Sequence, residues 1–304
     1  MRVFLAVVLG AALVVAGCGR SSATPEASVA VEGVVRATTA PVGWMASAIS
    51  GGLVPVEMLC PEGESPANWR PAPEVIESYQ RAKVIAINGA GFERWIRTAP
   101  LPGSRIVRSA DAIDGELIRV LGEAHSHGPG GYHAHEVIDG HTWIDPINAI
   151  AQAGAIERAM ATAFPEHAEG FAANSAGVEA SLRGVHDRLE GLDTSTVALI
   201  APERPFAYIA RRYGWPTVRL SDDLEAWTQE LGDRRLAALI GGRERAVVLC
   251  ASEPDERIEA ALIASHGVHL VYWETGARAG GLSYGELLSR NVGRLEAALA
   301  GVTP

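Results

Sequence analysis

Short apolar runs alternate with segments of helical periodicity along the chain, and few fold classes accommodate that order. Strands are predicted at 31–39, 53–59, 83–87, 197–201, 216–220, 246–250 and 268–273. Helices are predicted at 42–49, 73–82, 146–164, 206–213, 224–240, 255–265 and 283–300. Strands that alternate with helices at these intervals indicate parallel sheets with right-handed crossovers. The predicted fold class is therefore α/β, with two lobes that each contain a parallel sheet flanked by helices.

A long helical segment at 166–192 separates the two series of strands. It predicts a bridging helix between an N-terminal lobe at 31–165 and a C-terminal lobe at 193–304. In open parallel sheets, ligands bind where loops leave the carboxyl ends of the strands. Two such sheets that face each other form a cleft, so the loops at their strand ends are the expected place for a binding site.

The first residues of the chain are typical of an export signal. Met1 and Arg2 precede an apolar stretch from Val3 to Ala16, and Cys18 follows directly after two small residues. This pattern resembles a bacterial lipobox, which implies a signal peptide at 1–17, a lipid anchor on Cys18 and a flexible tether over 18–30. The protein is then expected in the periplasm or on the extracytoplasmic face of the cell membrane. The alternative is a single transmembrane helix, for which the apolar stretch is short.

Composition and charge narrow the range of partners. The 304 residues include 36 acidic and 26 basic residues, which gives a formal net charge of −10. This balance argues against nucleic acid as a partner. Hydrophobic residues make up 48% of the chain, which is enough for one or two sizeable cores.

Two further cysteines fall in the predicted lobes. In an oxidising compartment, Cys60 and Cys250 could form a disulfide. Because they lie in different lobes, which are expected to move relative to each other, two buried thiols are the prediction.

Histidine is concentrated in one loop at 123–141. Five of the nine histidines lie within seventeen residues, namely His125, His127, His133, His135 and His141. Imidazole is a common ligand for Zn²⁺ and similar ions, and the glycines and proline of this loop leave several rings free to turn toward one ion. A solvated polar loop without a ligand role is the alternative.

The segment at 141–149, His-Thr-Trp-Ile-Asp-Pro-Ile-Asn-Ala, resembles the His-x-Trp-hydrophobic-Asp/Ser-Pro-x-Asn-Ala motif of the zinc/manganese-type (cluster A-I) solute-binding lipoproteins of ABC importers. Other segments resemble motifs of this family in order and spacing: 61–71, 88–95, 206–214, 253–254 and 283–291. The resemblance spans nearly the whole mature chain. It implies a fold like that of periplasmic binding proteins, with a long helix between the lobes.

The resemblance also implies where a metal ion would bind. Similar proteins take three histidines and one carboxylate from four loops, two in each lobe. In this chain His141 is kept, and Ala67 stands where the first histidine is expected. Glu203 aligns with the third histidine and Glu274 with the carboxylate. His141, Glu203 and Glu274 are therefore the predicted metal ligands.

Additional ligands could come from two loops. They are Glu62, Glu64 and Asn68 in the first loop and His125, His127, His133 and His135 in the histidine cluster. One nitrogen and two carboxylates suit a hard or borderline divalent ion. Two anionic ligands favour Mn²⁺ or Fe²⁺, whereas the nearby histidines favour Zn²⁺. Zn²⁺ is the predicted ion, with Mn²⁺ or Fe²⁺ as the alternative.

Each candidate ligand also has a purely structural explanation. His141 could serve only as a packing partner for its aromatic neighbours, Glu203 as an acid near a helix N-terminus, and Glu274 as a solvated turn residue. Asp145 is predicted to cap the helix that begins at Pro146 rather than to bind metal.

Three functions stay open at this point. The resemblance implies a monomeric solute-binding lipoprotein, not an enzyme, that captures a divalent metal ion between its lobes and delivers it to an ABC transporter permease. A diverged paralogue that binds another ligand, or that buffers metal through the histidine cluster, would keep the fold. A metal-dependent hydrolase on a (β/α)₈ barrel fits poorly, because the strands are predicted in two separate halves rather than as eight consecutive units.

Overall fold

Two parallel sheets organise the protein, as predicted, and each contains four strands. The computed structural model describes residues 33–122, 125–126, 132–133, 135–220, 226–227, 238–243, 245–277 and 283–301. The first sheet contains β1 (Val35–Ala37), β2 (Val56–Met58), β3 (Val84–Ile87) and β4 (Ile106–Arg108), in the order β2-β1-β3-β4. All its pairings are parallel, with Val35 opposite Val56 on one side and Val84 on the other.

Two short antiparallel pairs follow the first sheet. β5 (Arg119–Leu121) pairs with β8 (Glu136–Ile138), and the loop between them contains β6 (His125–Ser126) and β7 (Tyr132–His133). The strand pattern of the sequence did not predict either pair. Their effect is to bring the chain back toward the first sheet just before His141.

The second sheet repeats the topology of the first. It contains β9 (Val197–Pro202), β10 (Thr217–Val218), β11 (Arg245–Cys250) and β12 (Val268–Tyr272), in the order β10-β9-β11-β12, with all pairings parallel. Every residue of β9 is buried, as is β11 after its first residue. Such strands read as continuous apolar runs because helices cover both faces of the sheet.

Seven helices connect or cover these sheets in the described ranges. They are α1 (Ala40–Ser50), α2 (Pro73–Arg81), α3 (Pro146–Ala163), α4 (Ala168–Glu190), α5 (Glu203–Tyr213), α6 (Glu256–His266) and α7 (Tyr284–Leu299). The helix predicted at 224–240 lies largely outside the described residues. The longest helix, α4, contacts α1 and α3 of the first half and α7 of the second, so it joins the two halves.

Polar side chains begin two of these helices. Asp145 caps α3, because its carboxylate accepts a hydrogen bond from the backbone N–H of Ile147 at 2.9 Å, as the sequence predicts. The same carboxylate accepts from Arg212 of α5 at 2.6 Å. Ser283 and Glu286 form a reciprocal capping box at the start of α7. One capping carboxylate thus also ties α3 to the second half.

Cys60 and Cys250 are both buried free thiols, which confirms the prediction made for them. Burial raises the pKa of Cys60 to about 11 and that of Cys250 to about 12. None of the helices within the described ranges has the length and apolar character of a membrane span. Cys18 and the predicted signal peptide lie outside the described residues.

Candidate metal-binding site

A cleft of about 610 Å³ opens where loops leave the carboxyl ends of strands in both sheets. Five segments of the chain line it, with residues that include Ser65, His141, Arg204, Glu253, Tyr272 and Glu274. Ser65 follows β2 and His141 follows the β5–β8 pair, whereas Arg204, Glu253 and Glu274 follow β9, β11 and β12. The cleft therefore lies at the position where open α/β sheets bind their ligands.

A buried carboxylate orients the imidazole of His141. Oδ1 of Asp139 lies 2.7 Å from Nδ1 of His141 and also accepts the backbone N–H of His141 at 3.2 Å. The Asp139 side chain is fully buried, and that of His141 is 18% exposed. Because the carboxylate accepts the hydrogen on Nδ1, the lone pair of Nε2 is left for another partner. This is the arrangement that prepares a histidine to bind a metal ion.

Aromatic rings fix the plane of the same imidazole. The ring of Phe92 lies edge-on to His141 at 5.3 Å between centroids, and Trp143 lies at the same distance on a tilted plane. Phe92 also packs edge-on against Trp143 at 4.9 Å. His141 thus packs beside Trp143, and its hydrogen bond to Asp139 adds an orientation that packing alone does not require.

A buried polar network supports the backbone next to His141. The side-chain amide of Asn88 donates to the carbonyl of Gly140 at 2.8 Å, and its oxygen accepts from Thr142 and Gln152 at 3.0 and 2.9 Å. Glu93 anchors Asn88 in turn, because its carboxylate accepts the backbone N–H of Asn88 at 2.7 Å. The loop after β3 therefore determines the position of the loop that carries His141.

Burial raises the pKa of the Glu93 carboxyl group, against hydrogen bonds that favour its charged form. These bonds come from the hydroxyl of Thr38 at 2.6 Å and from the backbone N–H groups of Asn88 and Gly89. Glu93 is 3% exposed and has no cationic partner among the described residues. Its role is to close the turn at 88–91.

Glu274 is held by two residues of α7. Asn291 accepts the backbone N–H of Glu274 at 3.1 Å and donates to its carbonyl at 2.8 Å. Nη2 of Arg290 lies 2.5 Å from Oε2 of Glu274. The backbone of this candidate ligand is therefore fixed, and its carboxylate is already paired with a cation.

Direct hydrogen bonds connect the loops that carry His141 and Glu274. The indole N–H of Trp143 donates to the carbonyl of Thr275 at 2.7 Å. The hydroxyl of Tyr284 donates to the carbonyl of Trp143. Since each loop is also fixed within its own half, the separation between the two candidate ligands is restricted.

Helix α5 makes a second connection between the halves. The hydroxyl of Tyr208 donates to the carbonyl of Asp139 at 2.9 Å and accepts the backbone N–H of Ile118 at 3.1 Å. Tyr208 is buried, and burial raises its pKa to about 12. The residue that precedes His141 by two positions is thus held from the opposite side of the cleft.

Three arginines at or beside the cleft were missed by sequence reasoning. Arg204 lines the cleft, Arg290 pairs with Glu274, and Arg294 lies over the ring of Tyr272 at 5.1 Å. The only sequence signal was adjacency, because Arg204 follows Glu203 and Arg290 falls in a segment that resembles a family motif. Where their guanidinium groups point depends on tertiary packing, which a single sequence does not show.

The structure brings together some of the predicted ligands. His141 and Glu274 line the same cleft, whereas Glu203, half-buried in the first turn of α5, is not among its lining residues. Glu62, Glu64 and Asn68 are exposed on the loop after β2. Within the described ranges, no group of three or more histidine, cysteine or acidic side chains is close enough to hold a metal ion.

The histidine cluster is described in part. His125 and His133 are directly opposite each other in the antiparallel register of β6 and β7, and His135 is exposed. His127 lies outside the described residues. The backbone therefore places at least two of these histidines at neighbouring positions of one hairpin.

Comparisons with known proteins agree with this architecture. A manganese-binding lipoprotein, MntA, of Halalkalibacterium halodurans is 25% identical over 225 residues, which cover 71% of this chain and 69% of the relative. An iron-binding protein, YfeA, of Yersinia pestis is 25% identical over 256 residues, which cover 82% and 76%. Both alignments extend across most of the two proteins.

A solved structure shows the same fold. The metal-dependent lipoprotein YcdH of Bacillus subtilis superposes with a TM-score of 0.67 at 20% identity, covering 87% of this chain and 97% of that protein. The sequence profile described as ZnuA, zinc-uptake complex component A, periplasmic, matches residues 35–298. This match includes both sheets, α4 and every loop that lines the cleft. The chain therefore belongs to the ZnuA family of periplasmic zinc-uptake components.

Proposed function

We propose that this protein captures a divalent transition-metal ion in the cleft and delivers it to the permease of an ABC importer. The observation that carries the proposal is that His141 and Glu274, from different halves of the chain, line one cleft. Asp139 leaves Nε2 of His141 available as a ligand, and Glu274 supplies a carboxylate. The family consists of uptake components, which supports transport rather than catalysis.

Zn²⁺ is the ion we propose first, with Mn²⁺ or Fe²⁺ as the alternative. The family is described as a zinc-uptake component, and the two relatives reported above are named for manganese and iron. An imidazole with one or more carboxylates suits all three ions, because each accepts both nitrogen and oxygen ligands. Glu203 remains a proposed ligand, and Glu253 is a second carboxylate that already lines the cleft.

The proposed location is extracytoplasmic, with a lipid on Cys18 as the membrane anchor. The family is described as periplasmic, and one relative is named a lipoprotein. Release to the permease would require the ligands to loosen. Because Trp143 and Tyr208 connect the halves by hydrogen bonds, we propose local movement of a ligand loop rather than wide separation of the lobes.

Metal titration of a variant tests the proposal. We expect metal-stripped protein to bind one equivalent of Zn²⁺ or Mn²⁺ tightly in isothermal titration calorimetry. The substitution His141→Ala should weaken this site by at least ~100-fold, because even outer partners of a ligand contribute 10-fold to 100-fold. His167→Ala, which removes an imidazole outside the cleft, should leave the affinity unchanged.

Two results would contradict the proposal. Binding weaker than millimolar for every ion tested would exclude high-affinity capture of the free ion. Tight binding that survives His141→Ala would place the site elsewhere, and the paired positions of His125 and His133 make the histidine hairpin the second candidate, as a metal buffer. A buffer of that kind would keep its stoichiometry in the His141→Ala variant and lose it when the hairpin histidines are replaced.

A further inference from the structure

The cleft contains a cation that its proposed function does not use. Arg204 lines the cleft together with His141 and Glu274. Its side chain is half-buried, and within the described part of the chain it forms no ion pair or hydrogen bond. A guanidinium group is always charged and favours a planar, bidentate anion such as a carboxylate. A site for a bare cation has no evident need for this group.

The remaining charges make the cleft less attractive to a bare dication. The carboxylate of Glu274 is paired with Arg290 at 2.5 Å, and Arg294 lies over the ring of Tyr272, a lining residue. The formal charges near the cleft balance, because the guanidinium groups of Arg204, Arg290 and Arg294 face three carboxylates, those of Asp139, Glu253 and Glu274. A bare dication therefore gains little electrostatic attraction there.

The protein ligands available in the cleft and the volume of the cleft also favour an ion that binds with a small anion. Ala67 stands where similar proteins have their first histidine and does not line the cleft, so Ser65 is the side chain that this loop supplies there. The cleft of about 610 Å³ has the volume of roughly twenty water molecules at ~30 Å³ each. A small organic anion fits in that space beside an ion.

We infer that the cleft takes its divalent ion as a complex with a small polycarboxylate, held by Arg204 through a free carboxylate of the chelator. The inference rests on the proposed function, since His141 supplies the imidazole ligand to the same ion. The chelator adds oxygen ligands to the imidazole of His141. It also cancels the charge of the ion, so a neutral or anionic complex binds where the surrounding formal charges already balance.

Equilibrium dialysis with a labelled chelator tests this inference on the purified full chain. The probes are Mn²⁺ alone, radiolabelled citrate alone, and Mn²⁺ with citrate. We expect about one citrate retained per protein when Mn²⁺ is present and at least tenfold less without it. Excess citrate should leave the apparent affinity for Mn²⁺ unchanged or raise it, although it depletes the free ion.

Substitutions of Arg204 test whether its guanidinium group binds the free carboxylate of the chelator. Arg204→Gln should reduce citrate retention at least tenfold and leave the affinity for Mn²⁺ alone the same or higher. Arg204→Lys, which keeps the charge without the planar fork, should retain part of the binding. Arg183→Gln removes a cation from the exposed face of α4 and should change neither quantity. Thermal unfolding of each variant shows whether it is folded.

The possible outcomes separate this inference from the proposed function. Tight binding of Mn²⁺ alone, with no citrate retained and an affinity that falls as citrate depletes the free ion, overturns the inference and leaves the proposed function standing. Citrate retention that Arg204→Gln does not change overturns the role of Arg204. Failure of both the ion and its citrate complex to bind overturns both proposals.

Discussion

Two buried carboxylates determine where the imidazole of His141 lies. Asp139 contacts the ring directly, and Glu93 acts through Asn88, which donates to the carbonyl of Gly140. One oxygen of Asp139 has no partner among the described residues. Burying a carboxyl group with an unpaired oxygen costs stability, so Asp139 favours precise placement of the loop over maximum stability.

Glu93 should make stability depend on pH. Burial raises its pKa in the folded protein, so the folded state holds the proton more tightly than the unfolded chain. This contribution is fully present below the unfolded pKa of about 4.3 and is lost as pH rises through the folded value. We therefore expect the free energy of unfolding of the unsubstituted chain to fall more steeply with pH than that of Glu93→Gln.

Urea unfolding at a series of pH values measures this difference. The exposed substitution Glu166→Gln provides the matched control and should follow the unsubstituted protein. Curves of equal slope for Glu93→Gln and the unsubstituted protein would show that Glu93 does not bind the proton differently in the two states.

At the scale of elements, the sequence predicted the local structure of helices and sheets but not the direction of side chains at the cleft. Asp145 before Pro146 predicted a helix cap that the structure confirms, because the signal lies within three residues. The alternation of strands and helices predicted both parallel sheets, because each strand and helix has its own local hydrophobic pattern. His141 and Glu274 were chosen from family motifs, and both line the cleft. Arg204 also lines it, whereas Glu203 is not among the lining residues, and the sequence alone does not show the direction of either side chain.

The contact between α3 and α5 should be measurable through Asp145. Its side chain is 2% exposed, caps α3 and pairs with Arg212, which is 31% exposed. Asp145→Ala should lower the free energy of unfolding by about 2–3 kcal/mol, since a cap contributes about 1 kcal/mol and an uncompensated partly buried charge adds to it. Urea unfolding measures the loss.

The variant Asp145→Asn separates the two contributions. Its amide oxygen still accepts the N–H of Ile147, so only the charge pair with Arg212 is weakened. We expect about half the loss seen for Asp145→Ala. A loss below ~0.5 kcal/mol in the alanine variant would show that the contact between the helices is energetically unimportant.

For the molecule as a whole, one hydrophobic core includes side chains from both sheets. Ala37 and Trp143 belong to it on one side, and Leu199, Trp273 and Leu288 belong to it on the other. Residues from 32 onward form one compact unit, and α4 contacts helices of both halves. The two sheets are therefore repeats in topology but not independent in packing.

This shared core predicts a single unfolding transition. Urea curves followed by far-UV circular dichroism and by tryptophan fluorescence should have the same midpoint, because neither half retains a complete core without the other. Asp145→Ala should move both curves together. Two separated transitions would instead show that each sheet folds with its own helices.

The burial of both thiols has a practical consequence outside binding. With pKa values of about 11 and about 12, Cys60 and Cys250 are almost entirely protonated at neutral pH, and the protonated sulfur reacts slowly with electrophiles. A cysteine added on an exposed helix would thus be labelled well ahead of either of them. A fluorophore placed that way could follow cargo uptake in real time while the thiols of Cys60 and Cys250 stay unmodified.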